Sequence, residues 1–180
     1  MADVVFLIRH GEVDAMWRRR YLGASDPGLS AAGRRQCEQL RAVACEVAVA
    51  SPARRARESA AFLVAPVVVE PRLREIDFGC WEGRTFAEIQ RIASADLVRR
   101  WAEAPETMVF PGGEAVAAFR MRIEAAWRAV AARPERRVAV VTHGGVISWL
   151  RRCLGGPERH PNRGEYVRVA KDESGVWHEE

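Results

Sequence analysis

Lysine is almost missing from this chain: 27 arginines and a single lysine, Lys171, carry the positive charge of its 180 residues. With 24 acidic residues interspersed, the net charge is only +4. The arginines are scattered and form no basic-plus-aromatic stripe or reader motif, so nucleic-acid binding is not expected. Such an Arg- and Ala-rich composition reads as the coding bias of a genome. Cysteine is scarce too. Cys37, Cys45, Cys80 and Cys153 have no CxxC spacing, which signals neither a zinc site nor a disulfide framework. Reduced thiols in a cytoplasmic protein is the simplest reading. Long hydrophobic runs are also lacking: the longest uncharged apolar stretches, around Ser59–Val69 and Val138–Leu150, are too short to span a bilayer. No secretory signal opens the chain, because Asp3 precedes the apolar Val4–Ile8 and Arg9-His10-Gly11-Glu12 follows it.

What remains is ordinary globular composition, 48% apolar and 29% charged. A chain of this length buries about two-thirds of its unfolded surface without cross-links. No linker, repeat or composition shift divides it, so residues 1–180 are expected to form one domain. Asp3–Ile8, Val47–Ala50, Val67–Val69 and Arg137–Val141 read as short buried strands. Tyr166–Val169 and Val176–Trp177 add strands near the end. Ser30 caps a helix expected to run to about Ala42, with Cys37, Leu40 and Val43 facing inward. Further helices are expected over about 53–63, around Phe86–Ile92 and Leu97–Trp101, over Glu114–Ala132, and over Val146–Leu154. Alternating strands and helices imply a three-layer α/β/α sandwich with a mostly parallel central sheet.

Two of the four histidines occupy one kind of position. His10 and His143 each follow a buried strand directly, and each precedes glycine. In open parallel sheets, ligands sit at the carboxyl ends of strands. Either histidine alone could be a satisfied core residue; together, with Arg9 beside the first, they point to a shared pocket. Arg54, Arg55 and Arg57 follow another strand, and guanidinium forks fit phosphate oxygens. Spacing alone does not choose among these three.

The segments Arg9-His10-Gly11-Glu12, Asp26–Gly33, Ser51–Ala56, Leu73–Gly83 and Thr142–Gly145 resemble, in order, those of the histidine phosphatase superfamily, in its phosphoglycerate mutase-like branch. The Pro111-Gly-Gly-Glu114 turn and the Leu73–Gly83 segment are similar to the α-ribazole phosphatase-like group and other small phosphatases. The resemblance implies a phosphoglycerate mutase-like fold and a metal-independent phosphatase without a cofactor. It makes His10 the nucleophile that takes the phosphoryl group. It makes Arg9, Arg55 and His143 the phosphate pocket, selecting Arg55 over Arg54 and Arg57, and Glu75 the general acid and then base. Neighbouring arginines would keep His10 unprotonated, and a backbone carbonyl would fix its tautomer.

Two positions depart from the pattern: Val13 and Met16 stand where threonine and asparagine are common, which implies a different substrate pocket. Glu75 and His143 lie only 68 positions apart, a shorter stretch than in cofactor-dependent mutases, so water is the expected acceptor. For the rest of the substrate, the candidates are Arg18, Arg20, Tyr21 and Gly144, with Trp81 and Glu82 after the acid. A tryptophan is as readily core, and Arg18–Arg20 as readily a solvated face. His160 and His178 have no motif context and read as surface or packing residues. The expected partner is a small phosphorylated metabolite, α-ribazole 5′-phosphate among the possibilities, with no nucleic acid and no membrane. The rival readings are a phosphoglycerate mutase and a non-catalytic phosphate-binding protein on the same fold.

Overall fold

A computed structural model describes residues 1–180. Six strands form one sheet: β1 (Val4–Arg9), β2 (Val47–Ala50), β3 (Val67–Val69), β4 (Arg137–Thr142), β5 (Tyr166–Lys171) and β6 (Trp177–Glu179). Their order is β3-β2-β4-β1-β5-β6. The first four in this order run parallel, whereas β5 and β6 are antiparallel additions, giving a mixed but mostly parallel sheet. β1 and β4 pair from Val4 against Arg137 to Arg9 against Thr142. The residues that follow, His10 and His143, therefore leave the sheet side by side.

Strand alternation builds two cores. Val5, Leu7, Val47, Val49, Val138 and Val140 face one side; Phe6, Ile8, Ala48, Ala50, Ala139 and Val141 face the other. Helices α1 (Ala31–Cys37) and α2 (Arg54–Ala60) cover the second face through Cys37, Ala56 and Ala60. On the first face lie α3 (Phe86–Ile92), α4 (Ala95–Glu103), α5 (Val116–Ala131) and α6 (Gly144–Cys153), anchored by Ile89, Phe119, Ile123, Ala126, Ile147 and Leu150. Each such aliphatic side chain contributes about 1.5–3 kcal/mol by leaving water. The result is the three-layer α/β/α arrangement. No helix is long and apolar enough to cross a membrane.

The helix capped by Ser30 is α-helical only to Cys37 and tightens to a 3-10 helix over Glu38–Ala42. Its inward residues explain the change. Cys37, Leu40 and Val43 recur every third residue and are all buried, and three residues per turn keeps them on one line. The long helix α5 begins at Val116 and not at Glu114, whose backbone and carboxylate are engaged by Phe110, Asp77 and Arg122.

Candidate active site

The carboxyl ends of β1 and β4 form the floor of the site. His10 N–H donates to Thr142 O (3.0 Å), and the buried His10 and His143 rings lie 5.2 Å apart, edge to face. Nδ1–H of His10 donates to Gly11 O (2.8 Å), which leaves Nε2 as the unprotonated nitrogen. Gly11 is required for space: a Cβ there would lie 2.5 Å from Gly33 O. His143, at the start of α6, meets Ser51 Oγ through Nε2 (2.7 Å). The same Oγ accepts the Ala53 N–H (3.3 Å), so the hydroxyl hydrogen is free to go to Nε2. That leaves Nδ1–H of His143, buried and without a partner, as a donor.

Of the arginines after β2, only Arg55 turns inward. It is fully buried, and its guanidinium donates to Ser25 O (2.7 Å) and Gly23 O (3.1 Å) while Nε has no partner. Arg54 is exposed and pairs with Glu58 (2.7 Å), and Arg57 is exposed. Arg9 contacts His160 Nδ1 (2.8 Å) and Pro161 O (3.2 Å) through Nη1, and its Nε is also unpaired. Burial, reinforced by the charge of Arg163, pulls Arg9 down to about 10.

Glu75 faces these cations. Its Oε2 accepts from Gly145 N–H (3.0 Å) at the start of α6, and Oε1 from Ile76 N–H (3.2 Å). Desolvation pushes its carboxyl above the ordinary range, against the pull of those N–H groups, Arg55 and Arg122. The segment that carries it is fastened at several points. Thr142 Oγ1 donates to Leu73 O (2.7 Å). Arg122, on α5, donates to Arg72 O (2.7 Å), Arg74 O (2.6 Å) and Glu75 O (3.0 Å) while holding Glu114 at 2.7 Å. Arg122 thus positions the backbone on both sides of the acid.

Desolvation holds His10 well below its ordinary pKa, helped by the charges of Arg55, Arg163 and Arg9 in that order, against the Gly11 hydrogen bond. Burial, then Arg55 and His10, does the same to His143. Both imidazoles are neutral near pH 7, while the arginines keep the pocket electropositive. The pocket above them measures about 260 Å³. Beside it lies a more apolar cavity of about 500 Å³ that shares Glu75, Phe78 and Gly145 and is lined by Trp101, Phe119 and Trp149. No three His, Cys, Asp or Glu side chains gather as a metal-ligand set; the donors lining the pocket are guanidinium, imidazole and backbone N–H groups.

The other sequence candidates divide. Arg20, Tyr21 and Gly144 line the pocket; Arg20 is tied to Glu88 (2.8 Å), and Tyr21 Oη accepts the Trp101 Nε1–H (2.9 Å). Arg18 lies outside this pocket, exposed and paired with Glu12 (3.2 Å). Trp81 is core, stacked edge-on against Tyr21, Trp101 and Phe110. Glu82 accepts from Gly23 and Ser25 N–H (both 2.9 Å) and so braces the loop that holds Arg55. Val13 is buried against Leu29, and Met16 is exposed. His160 is exposed as expected, yet at the pocket mouth and bonded to Arg9; His178 lies on β6, outside the pocket. Sequence reading gave no functional place to Ser51, Arg122 or Arg163. For Arg122 one signal existed, a charge beside the buried stripe of Phe119, Ile123 and Ala126.

The fold and the site have counterparts among known proteins. Over 119 residues the chain is 38% identical to a bifunctional protein of Mycobacterium tuberculosis, a match covering 61% of this chain but only 32% of that longer one. It is 33% identical over 148 residues to phosphoserine phosphatase 1 of Hydrogenobacter thermophilus, covering 77% of this chain and 70% of the relative. The crystal structure of the α-ribazole phosphatase from Shigella flexneri superposes with a TM-score of 0.84 at 25% identity, covering 98% of this chain and 94% of that one. Residues 5–170 match the family model for branch 1 of the histidine phosphatase superfamily. With its paired strand-end histidines and the match running almost end to end, the chain belongs to that superfamily.

Proposed function

We propose that the protein hydrolyses small phosphate monoesters through a phosphohistidine on His10. The observation that carries this reading is the Nδ1–H to Gly11 O bond of 2.8 Å. It leaves a neutral Nε2 beside guanidinium and imidazole N–H groups that have no partner. In the first step Nε2 attacks phosphorus, the ester P–O bond breaks, and Glu75 gives its proton to the departing oxygen. Arg9, Arg55 and His143 Nδ1–H take up the charge on the phosphoryl oxygens. In the second step Glu75, now a carboxylate, takes a proton from water, the water oxygen attacks phosphorus, and the P–N bond breaks. Inorganic phosphate leaves and both groups return to their starting states. Phosphate monoesters are among the slowest biological bonds to hydrolyse, and preorganised charge is the main lever on their barrier. In this scheme the arginines supply that charge and no metal ion takes part.

The apolar cavity beside Glu75 favours a bulky, partly apolar alcohol over one as small as serine. α-Ribazole 5′-phosphate, a riboside monoester with a planar base, belongs to that class. The test is product release from aryl phosphate, α-ribazole 5′-phosphate, phosphoserine, nucleotides and 3-phosphoglycerate in EDTA, with His10→Ala alongside. Phosphate release that the substitution lowers by about 10³-fold or more is the expected result. Isomerised phosphoglycerate without free phosphate would make the protein a mutase, and silence on every ester would make it a phosphate-binding protein.

A further inference from the structure

We propose that Arg163 is a third guanidinium of the phosphoryl pocket, reaching it from the segment that follows α6. The proposal rests on the phosphatase reading for its ligand, a phosphoryl dianion, but its test does not need turnover.

The segment around Arg163 is strapped to the end of β1. Gly164 N–H donates to Arg9 O and Arg9 N–H to Glu165 O, each at 3.0 Å. Gln39 Nε2 donates to Gly164 O (2.9 Å). Gly164 itself has φ +76°, and a Cβ there would lie 2.8 Å from Gln36 Cβ, so only glycine turns the chain at this point. The neighbouring Arg9 Nη1 bonds hold His160 and Pro161 in the same place. Arg163 is thereby fixed in the wall of the His10 pocket together with Arg9, Glu75 and His160.

No side chain of the protein neutralises it. Arg163 makes no ion pair, unlike Arg20, Arg54, Arg122 or Arg151. Its Nη1 is buried without a hydrogen-bond partner. The carboxylate whose charge reaches it, Glu12, is already shared between Arg18 (3.2 Å) and Gln36 (3.4 Å). A half-buried cation with an unpaired N–H is costly unless something meets it. The Arg163 charge also reaches His10 and, with those of Arg55 and Arg9, helps to hold it unprotonated. A guanidinium in this place gains an acceptor for its unpaired N–H when an anion lies between it and the imidazole. Four buried donors of the site, Arg9 Nε, Arg55 Nε, His143 Nδ1 and Arg163 Nη1, lack partners, and the three non-bridging oxygens of a phosphate monoester carry lone pairs enough to accept from all four.

Calorimetric titration of the full-length protein with inorganic phosphate and with vanadate tests this. Both ligands carry the phosphoryl part alone and bind without turnover. Arg163→Met and Arg163→Gln are compared with the wild type and with Arg99→Met, an exposed arginine on α4 that pairs with Asp96; either Arg163 variant that melts like the wild type is read. The expected result is a Kd raised about 10- to 100-fold at Arg163, the worth of one charge-assisted hydrogen bond, and unchanged at Arg99. Phosphate and vanadate affinities that stay within about threefold of wild type in a folded Arg163 variant overturn the proposal, even if ester turnover falls. Wild-type binding of phosphate without any ester hydrolysis would sink the phosphatase reading and leave the Arg163 comparison standing.

Discussion

Gly145→Ala separates the stability of this protein from its chemistry. Gly145 is exposed at the start of α6, where alanine removes backbone entropy and is worth up to about 1 kcal/mol. For a chain of this size that is a rise in Tm of about 2–4 °C. The new methyl group, however, would lie 2.6 Å from Glu75 Oε1. Ordinary contact begins near 3.4 Å, so the carboxyl must retreat by about 0.8 Å. The carboxyl is the end of a side chain beside open cavity, so it moves before α6 does. A displacement of about 1 Å in a positioned group costs on the order of 10²-fold, and the loss should fall where Glu75 gives its proton. We expect kcat/KM to drop about 10- to 100-fold for an alkyl monoester. For an aryl phosphate, whose leaving group departs without a proton, the drop should be under about threefold. Steady-state kinetics on the two esters and a thermal melt measure all three quantities. Undiminished alkyl turnover in a protein at least as stable as wild type would refute the placement of the acid. An equal loss on both esters would mean that the whole pocket, and not Glu75, had moved.

Two further expectations follow from charge and packing. Turnover needs His10 neutral and Glu75 protonated; His10 is held below its ordinary pKa and Glu75 above its own, within a ring of Arg9, Arg55, Arg163 and His143. The kcat/KM profile should therefore be a bell centred below pH 7, rising as His10 loses its proton and falling as Glu75 ionises. The alkaline limb should appear with an alkyl monoester and be absent with an aryl phosphate, whose leaving group needs no proton, and an alkaline limb of equal size on both esters would assign it to another group. Arg122→Met strips the donors from three backbone carbonyls and from Glu114. We expect a loss of about 3–5 kcal/mol in denaturant unfolding. Arg122→Lys should retain part of that stability and lower kcat more than it raises KM, and wild-type kinetics in Arg122→Lys would show that the acid needs no such brace.

What could be read locally was read from the chain alone. An unbroken apolar run is a strand, a three- or four-residue apolar recurrence is a helix, and Ser30 caps one by its hydroxyl; that β3, expected to be buried, is exposed follows from its place at the sheet edge, which no apolar run reveals. Those patterns rest on contacts within a few residues, so they needed no knowledge of the rest of the molecule. The two His-Gly strand ends pointed to a shared pocket in the same way, whereas the order of segments around them spoke only through its resemblance to the histidine phosphatase superfamily. Where local pattern was ambiguous, packing decided: Trp81 became core, Glu82 a loop brace, and the 38–42 turn a 3-10 helix because its inward residues recur in threes.

Other features exist only once the sheet is assembled. Pairing β1 with β4 brings His10 beside His143. β5, antiparallel to β1, ties the turn carrying His160 and Arg163 to Arg9. Arg122 reaches the acid from a helix nearly fifty residues later, and Ser51 sets the proton on a histidine in another strand's turn. None of these partners lies within reach along the chain, so no spacing rule announces them. The proton affinities follow from the same cause: a histidine titrates as its surroundings dictate, and the burial and cations that hold His10 and His143 neutral are assembled from distant segments by the fold.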